Sequence, residues 1–477
     1  MKSHIIFIIF LNLVAITGFT QKLTKVSGYI PESKDSSILV QLIINDPKVI
    51  KIDSQTLLEA KTEQGLFSFD FVINSPSMIV VKANGRNILF PGVYNLLIEP
   101  GDSLNLNISS LKKLGLLNIE VTGDGKEKID FLKEIIKPLV PIYKTDPHYQ
   151  SLQFRFETTD RKLNCIDSVY RSFKGKISQH AKDILRAYQY HYTLDIPLLG
   201  ITRNKSDSVR YFFDKYIILK KRMNVLLNPQ VINYFPSHVL YNYVYLASFI
   251  NPAQQTGINF IKNSPIDFAH LIIKNFDKNS AIKEYVLADL TLSNLARNML
   301  NDNAKDLYNL YVENVSTQSV FFQEVQNLYN YNASNLSPGS PFFKFELPDS
   351  SGRVHKLNDY KGKVIVLDFW FYGCVGCAQI TKALDLLETR FDRNKVEFIS
   401  VNIDTRKTWL AGIGKFTSLN STHLYTDEQR GTHPLIKYLN FTTYPKLVVI
   451  DQNGKMVGSP PDPRSKAEEF VRFINSL

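Results

Sequence analysis

The spacing of apolar positions changes twice along the chain. From residue 22 to about 122 it favours strands. Residues 36–44 are rich in β-branched side chains, 67–73 alternate in part, and 78–81 form a short apolar run. Asn84-Gly85, Pro91-Gly92 and Pro100-Gly101-Asp102 punctuate them as turns, and 103–108 alternates cleanly. Strands at this spacing predict a small antiparallel β-sandwich-like domain over 21–122. Gly123-Asp124-Gly125 then opens a helical period, in which Ile129, Leu132, Ile135, Ile136 and Leu139 recur at three and four. Further helices are predicted at about 160–192, 206–226, 281–300 and 303–330. Residues 123–334 therefore read as an α-helical region, broken in its middle by prolines 229, 236, 252 and 265.

Residues 335–340, Asn-Leu-Ser-Pro-Gly-Ser, are a linker by composition. Beyond them, in 341–477, strands alternate with helices, as in an α/β domain built on a central sheet. The first twenty residues form a separate unit. Lys2 precedes an apolar run from Ile5 to Ile16, and Gly18 and Thr20 are small residues placed for a cut before Gln21. This is the layout of a secretory signal peptide. The run is shorter than the ~20 apolar residues of a membrane-spanning helix, and no later segment is apolar for long enough. The expectation is a soluble protein in the periplasm or another extracytoplasmic space, not membrane-spanning after signal cleavage.

Composition narrows the function. Charged residues at 21% and hydrophobic residues at 44% exclude wholesale disorder, collagen and coiled coil. The 477 residues hold only three cysteines, too few for a disulfide scaffold. The net charge of +11 comes from 56 Lys and Arg against 45 Asp and Glu. It is spread in pairs and triplets such as Lys220-Lys221-Arg222, with no basic run or recognition motif, so no nucleic-acid partner is expected.

The chemistry gathers at one junction. Residues 364–370 are a buried strand by their apolar run, and Cys374-Val375-Gly376-Cys377 follows at the start of a helix marked by Ile380, Leu384, Leu387 and Phe391. Unpaired N–H groups and the positive end of a helix stabilise a thiolate there, the form that attacks a disulfide. Cys374, nearest the helix start, is the candidate nucleophile, and Cys377 the candidate resolving thiol. Half a zinc site is one alternative, but no second C-x-x-C or H-x-x-x-H exists, and His355, His423 and His433 lack ligand spacing. A structural disulfide is the other, although so tight a loop staples little chain. No metal site is expected, and no flavin or nicotinamide fingerprint supports a cofactor.

Residues 341–477 resemble the thioredoxin-like fold, and within it the exported TlpA-type thiol–disulfide oxidoreductases of Bacteroidetes type. Carrying the resemblance are 343–352 as a leading hairpin, Asp368-Phe369-Trp370 ahead of the cysteines, and Thr443-Tyr444-Pro445 followed by 446–451 and Asn453-Gly454-Lys455. More weakly, Pro100-Gly101-Asp102-Ser103-Leu104 and Gly123-Asp124-Gly125 resemble the region found ahead of such domains. The resemblance implies a redox-active Cys374–Cys377 disulfide and a proton relay at Asp368 beneath Cys377. It also implies a cis peptide at Pro445, in a loop facing the cysteines that pairs with substrate backbone. Trp370, Phe371 and Tyr444 are the candidates for substrate contact, with packing the plainer role of the first two.

The implied activity is reduction of disulfides in exported proteins, with electrons from a membrane thiol reductase. Gly373, the Val375-Gly376 pair and Lys382 depart from the family's usual residues and leave the direction of electron flow open. A rival of another class is an envelope binding or assembly protein that uses the domain mainly as scaffold. Residues 21–334 read plainly as an interaction module able to form a homodimer. Cys165, alone in a helical stretch, reads as an inert buried thiol.

Overall fold

The computed structural model describes residues 22–45, 56–89, 95–139, 152–203, 221–234, 240–244, 265–277, 280–440 and 443–477. The signal-peptide reading of 1–20 and most of the helix expected at 206–226 lie outside the described residues. The chain divides into two compact units. Of the described residues, the first holds 22–45, 56–89, 95–137 and 173–181, and the second holds the rest.

The first unit contains two sheets. One is ordered β4-β1-β8-β9, from β1 (Leu23–Tyr29), β4 (Leu66–Val72), β8 (Ser103–Ile108) and β9 (Ile119–Asp124). The other is ordered β3-β2-β5-β6, from β2 (Leu39–Asn45), β3 (Thr56–Lys61), β5 (Ser77–Ala83) and β6 (Arg86–Asn87), with β7 (Leu96–Ile98) also on β5. Alternation buries Phe67, Phe69 and Phe71 of β4 and Leu104, Leu106 and Ile108 of β8, leaving their polar neighbours outward. One pair departs from the antiparallel expectation: β1 runs parallel to β8. These strands are far apart in sequence, so no hairpin dictates their direction.

Helix α1 (Glu127–Ile136) also falls in this unit, which takes in residues beyond Thr122. The reason is an ion cluster. Lys128 is buried, with Nζ 2.8 Å from Asp102 and 3.1 Å from Glu99. Asp102 also accepts from the Glu99 N–H at 2.7 Å, and a Cβ on Gly125 would lie 2.5 Å from its carboxylate. Burial pushes the Asp102 carboxyl up and Lys128 opposes that. The Pro-Gly-Asp and Gly-Asp-Gly motifs are thus two sides of one contact, and Gly125, at φ +96°, leaves room for the carboxylate.

The second unit begins with helices. They are α2 (Leu152–Glu157), α3 (Thr159–Ser172), α4 (Gln179–Arg203, from Lys182 onward in this unit), α5 (Pro265–Asn275), α6 (Ala281–Asn298), α7 (Asp302–Asn314) and α8 (Phe322–Asn335). The expected helix over 303–330 is two, because Ser316-Thr317-Gln318-Ser319 turns the chain between them. A hairpin, β10 (Glu346–Pro348) with β11 (Val354–Lys356), leads into a sheet ordered β14-β13-β12-β15-β16. Its strands are β12 (Val364–Trp370), β13 (Val396–Asn402), β14 (Thr422–Tyr425), β15 (Lys446–Ile450) and β16 (Met456–Gly458). β13 lies parallel to β12 and β14, and β15 antiparallel to β12 and β16. Helices α9 (Val375–Leu387), α10 (Arg406–Gly412), α11 (Pro434–Leu439) and α12 (Ala467–Asn475) complete the α/β part.

The helices and this sheet share a core. Met299 and Leu336 pack with Leu367, Phe369, Val448 and Ile450. Tyr331 donates to the Tyr438 carbonyl at 2.7 Å, and Tyr438 to the Asn335 carbonyl at 2.8 Å. The stretch expected as a linker is held too, with Gly339 N–H on Met456 O and Met456 N–H on Ser340 O, both at 2.8 Å. Among the described residues no helix is long and apolar enough to cross a membrane.

Removing Lys128 strands a buried carboxylate. Lys128→Ala is expected to destabilise the first unit by about 3 kcal/mol, with Lys128→Met no better, because neither supplies a cation. Denaturant unfolding measures it, and a loss within the ~0.5 kcal/mol of ordinary surface changes would contradict the ion-cluster account.

Candidate functional site

All seven residues of β12 are buried. Ile365, Leu367 and Phe369 face the core shared with the helices, while Val364 and Val366 face the side covered by α9 and α12. By alternation Asp368 and Trp370 lie on that second side, under the helix that carries the cysteines. The strand ends at Trp370, and the chain reverses through Gly373 at φ +88°, a conformation glycine adopts without strain. Cys374 caps α9: its Sγ accepts the Cys377 N–H at 3.0 Å. The two cysteines are joined as a disulfide, with Cα atoms 5.2 Å apart. Cys374 keeps 5% of its surface exposed and Cys377 none. Val375, between them, is 72% exposed.

The Tyr444–Pro445 peptide is cis. A Cβ on Gly376 would lie 2.9 Å from Pro445 Cδ and 3.7 Å from the Tyr444 carbonyl oxygen, so this loop presses on the first turn of α9. Glycine between the cysteines permits that approach. The Tyr444 and Phe371 rings meet edge to face at 5.5 Å, both half-buried beside the cysteines.

Trp370 differs from the expectation of substrate contact. It is fully buried, its indole N–H donates to Ser400 Oγ at 2.7 Å, and its ring stacks on Phe416. It has no surface to offer a substrate. The exposed aromatic at this rim is Tyr372, which meets Phe416 at 5.2 Å. Sequence reasoning also missed Trp409 and Tyr425, stacked at 4.3 Å in the cluster that holds both cysteines. Only the second tryptophan of the chain hinted at them. Cys165 is the free thiol, and burial pushes its pKa up, away from reactivity. No group of His, Cys, Asp and Glu among the described residues is arranged to hold a metal ion. Helix α9 continues through Lys382, where the family's usual proline is absent.

Asp368 is buried, and neither carboxylate oxygen has a hydrogen-bond partner. Thr417 Oγ1 is likewise buried with no hydrogen-bond partner. Burial pushes the carboxyl up to about 7, and the charge of Glu388 adds to the rise. Lys446, directly after Pro445, is buried on the opposite face of the sheet. Its Nζ donates to the Arg297 carbonyl near the end of α6, and burial brings it down to about 7.

The Asp368 carboxyl binds its proton more tightly folded than unfolded. Between about pH 4 and about 7 the folded chain holds a proton that the unfolded chain has lost, so stability falls as pH rises through that window. Asp368→Asn removes this dependence. In the oxidised protein it should gain on the parent from pH 4 to pH 8, by at most ~4 kcal/mol, in denaturant unfolding of the second unit. A difference constant with pH would contradict the buried acid.

Residues 362–456 match the thioredoxin-like family model. The chain is similar to the thiol-disulfide oxidoreductase ResA of Geobacillus thermodenitrificans, at 30% identity over 121 residues, 25% of this chain and 67% of that protein. It is similar to ResA of Geobacillus kaustophilus at 29% over 142 residues, 30% of this chain and 79% of that protein. Among solved structures, the thioredoxin domain of a thiol-disulfide oxidoreductase from Bacteroides vulgatus is 25% identical, covering 28% of this chain and 99% of that one, with a TM-score of 0.26. With a Cys374–Cys377 disulfide at the start of α9, the chain belongs, through its C-terminal part, to the thioredoxin-like thiol–disulfide oxidoreductases.

Proposed function

We propose that this protein is an exported reductase of protein disulfides, acting through Cys374 and Cys377. The unequal exposure of the two cysteines carries the proposal: of the pair only Cys374 keeps any accessible surface, at the helix start where a thiolate is stabilised. The Cys374 thiolate attacks one sulfur of a substrate disulfide, and the other sulfur leaves as a thiolate. The Cys377 thiol gives its proton to Asp368 and attacks Cys374 Sγ. The Cys374–Cys377 bond forms, the mixed disulfide breaks, and the substrate leaves with two electrons more than it brought. A carboxyl that titrates near 7 suits this proton transfer at neutral pH.

The Tyr444–Pro445 loop, pressed on α9, is read as the edge along which substrate backbone pairs, with Phe371 and Tyr444 as its apolar contacts. Reduction back to the dithiol requires an outside electron donor, read as a membrane thiol reductase. Export to the periplasm rests on the charged start and apolar run of residues 1–20. The two sheets of the first unit are read as the layers of a small sandwich, serving interaction or self-association.

Insulin-disulfide reduction with dithiothreitol tests the activity. The mature protein should accelerate it, and Cys374→Ser should fall to the dithiothreitol rate. Equal rates would overturn the proposal. In the exported compartment, Cys377→Ser should trap mixed disulfides on Cys374, and the double variant with Cys374→Ser should trap none.

A further inference from the structure

One buried lysine has no part in the exchange just described. Lys446 follows Pro445 directly and opens β15. Its register sets it beside Phe369, on the face of the sheet away from the cysteines, where Leu367, Val448 and Ile450 are buried and apolar. An amine buried there costs stability that a leucine or methionine would not. Its Nζ donates to the Arg297 carbonyl, in the last turn of α6. Carbonyls at a helix end lack helical partners and attract a cationic donor. That turn of α6 is itself fixed. The buried Asn332 of α8 donates its side-chain N–H to the Leu295 carbonyl at 2.9 Å and the Met299 carbonyl at 3.4 Å.

The loop just ahead of Lys446 is the one read as pairing with substrate backbone. It presses on Gly376, between the cysteines. The Tyr444 ring packs on two clusters at once, one holding Met299 and Leu336 and the other holding both cysteines. The helical stretch therefore meets the loop through the packing of Tyr444 and through the amine of Lys446. We infer that Lys446 is a positioning residue for polypeptide substrates: anchored on the end of α6, it fixes the placement of the Tyr444–Pro445 edge beside the cysteines. Helices α6 and α8 thereby take part in choosing the substrate. This rests on the proposed backbone pairing along that loop. Substrates should divide accordingly. A disulfide within a polypeptide has backbone to lay along the edge, and a small-molecule disulfide has none. Misplacing the edge slows the first and spares the second, because Cys374 is delivered by β12 and α9 and not by β15.

The experiment compares the full chain with Lys446→Met, which is close in length and has no N–H to donate. Single-turnover oxidation of the reduced protein, by insulin and by hydroxyethyl disulfide, is followed by acid quench and thiol alkylation. Denaturant unfolding of the oxidised protein is measured beside it. Insulin should react about tenfold more slowly with the variant, short of the ~100-fold that 1 Å of misplacement can cost. Hydroxyethyl disulfide should react at the parent's rate, and the unfolding midpoint should not fall. Equal loss with both disulfides, or no loss with insulin, overturns the inference. A midpoint lowered in both Lys446→Met and Lys446→Leu also overturns it, since the lysine would then serve folding. Where Lys446→Met alone loses stability, the rates of Lys446→Leu decide. Failure of the backbone-pairing reading is distinct: Tyr444→Ala would then react with insulin as fast as the parent, and the inference would fall with that reading.

Discussion

A carboxylate with no hydrogen-bond partner in the middle of a fully buried strand is a costly thing to keep. β12 holds Asp368 between Val366 and Trp370, pairs with β13 on one side and β15 on the other, and is covered on both faces. Water cannot solvate the charge, so the group keeps its proton up to about neutral pH. The site follows from that constraint. The strand that confines the acid ends in the turn that delivers Cys374, and the helix that shields it carries Cys377.

The rest of the second unit fixes this arrangement from two directions. On the cysteine side, Trp370, Phe416 and Trp409 fill the space around the pair, and at the other end of α9 the buried Glu388 accepts from Ser418 and Ser421. On the other side, Met299, Leu336 and Tyr331 of the helical stretch close the core behind β12 and β15. Lys446 joins the two regions by donating its N–H to the Arg297 carbonyl, one residue past the cis proline. The strand that follows Pro445 is thus held by the helices as well as by its sheet.

What could be read in the sequence was local. The apolar run 364–370 marked β12, and the C-x-x-C after it marked the helix start, because both signals lie within a few residues of their cause. The same local view showed α1 but not its unit: the Lys128–Asp102 pair joins residues 26 apart. The parallel pairing of β1 with β8 was equally invisible. Packing was the plainer reading of Trp370, but its Ser400 partner sits on another strand and had no local signal. Glu388 has no signal at all, since a glutamate ending a helix is ordinarily solvated and its serines come from a later loop. The cis peptide at Pro445 was expected from family resemblance alone.

The asymmetry of the two sulfurs is the claim on which the chemistry stands. Alkylation of the fully reduced protein by iodoacetamide, followed by mass spectrometry across pH, measures it directly. The account predicts that Cys374 reacts first, with an apparent pKa below the ~8.5 of a free cysteine, and that Cys377 and Cys165 react far more slowly. Equal rates at Cys374 and Cys377, or a Cys374 pKa at or above the free value, would contradict it.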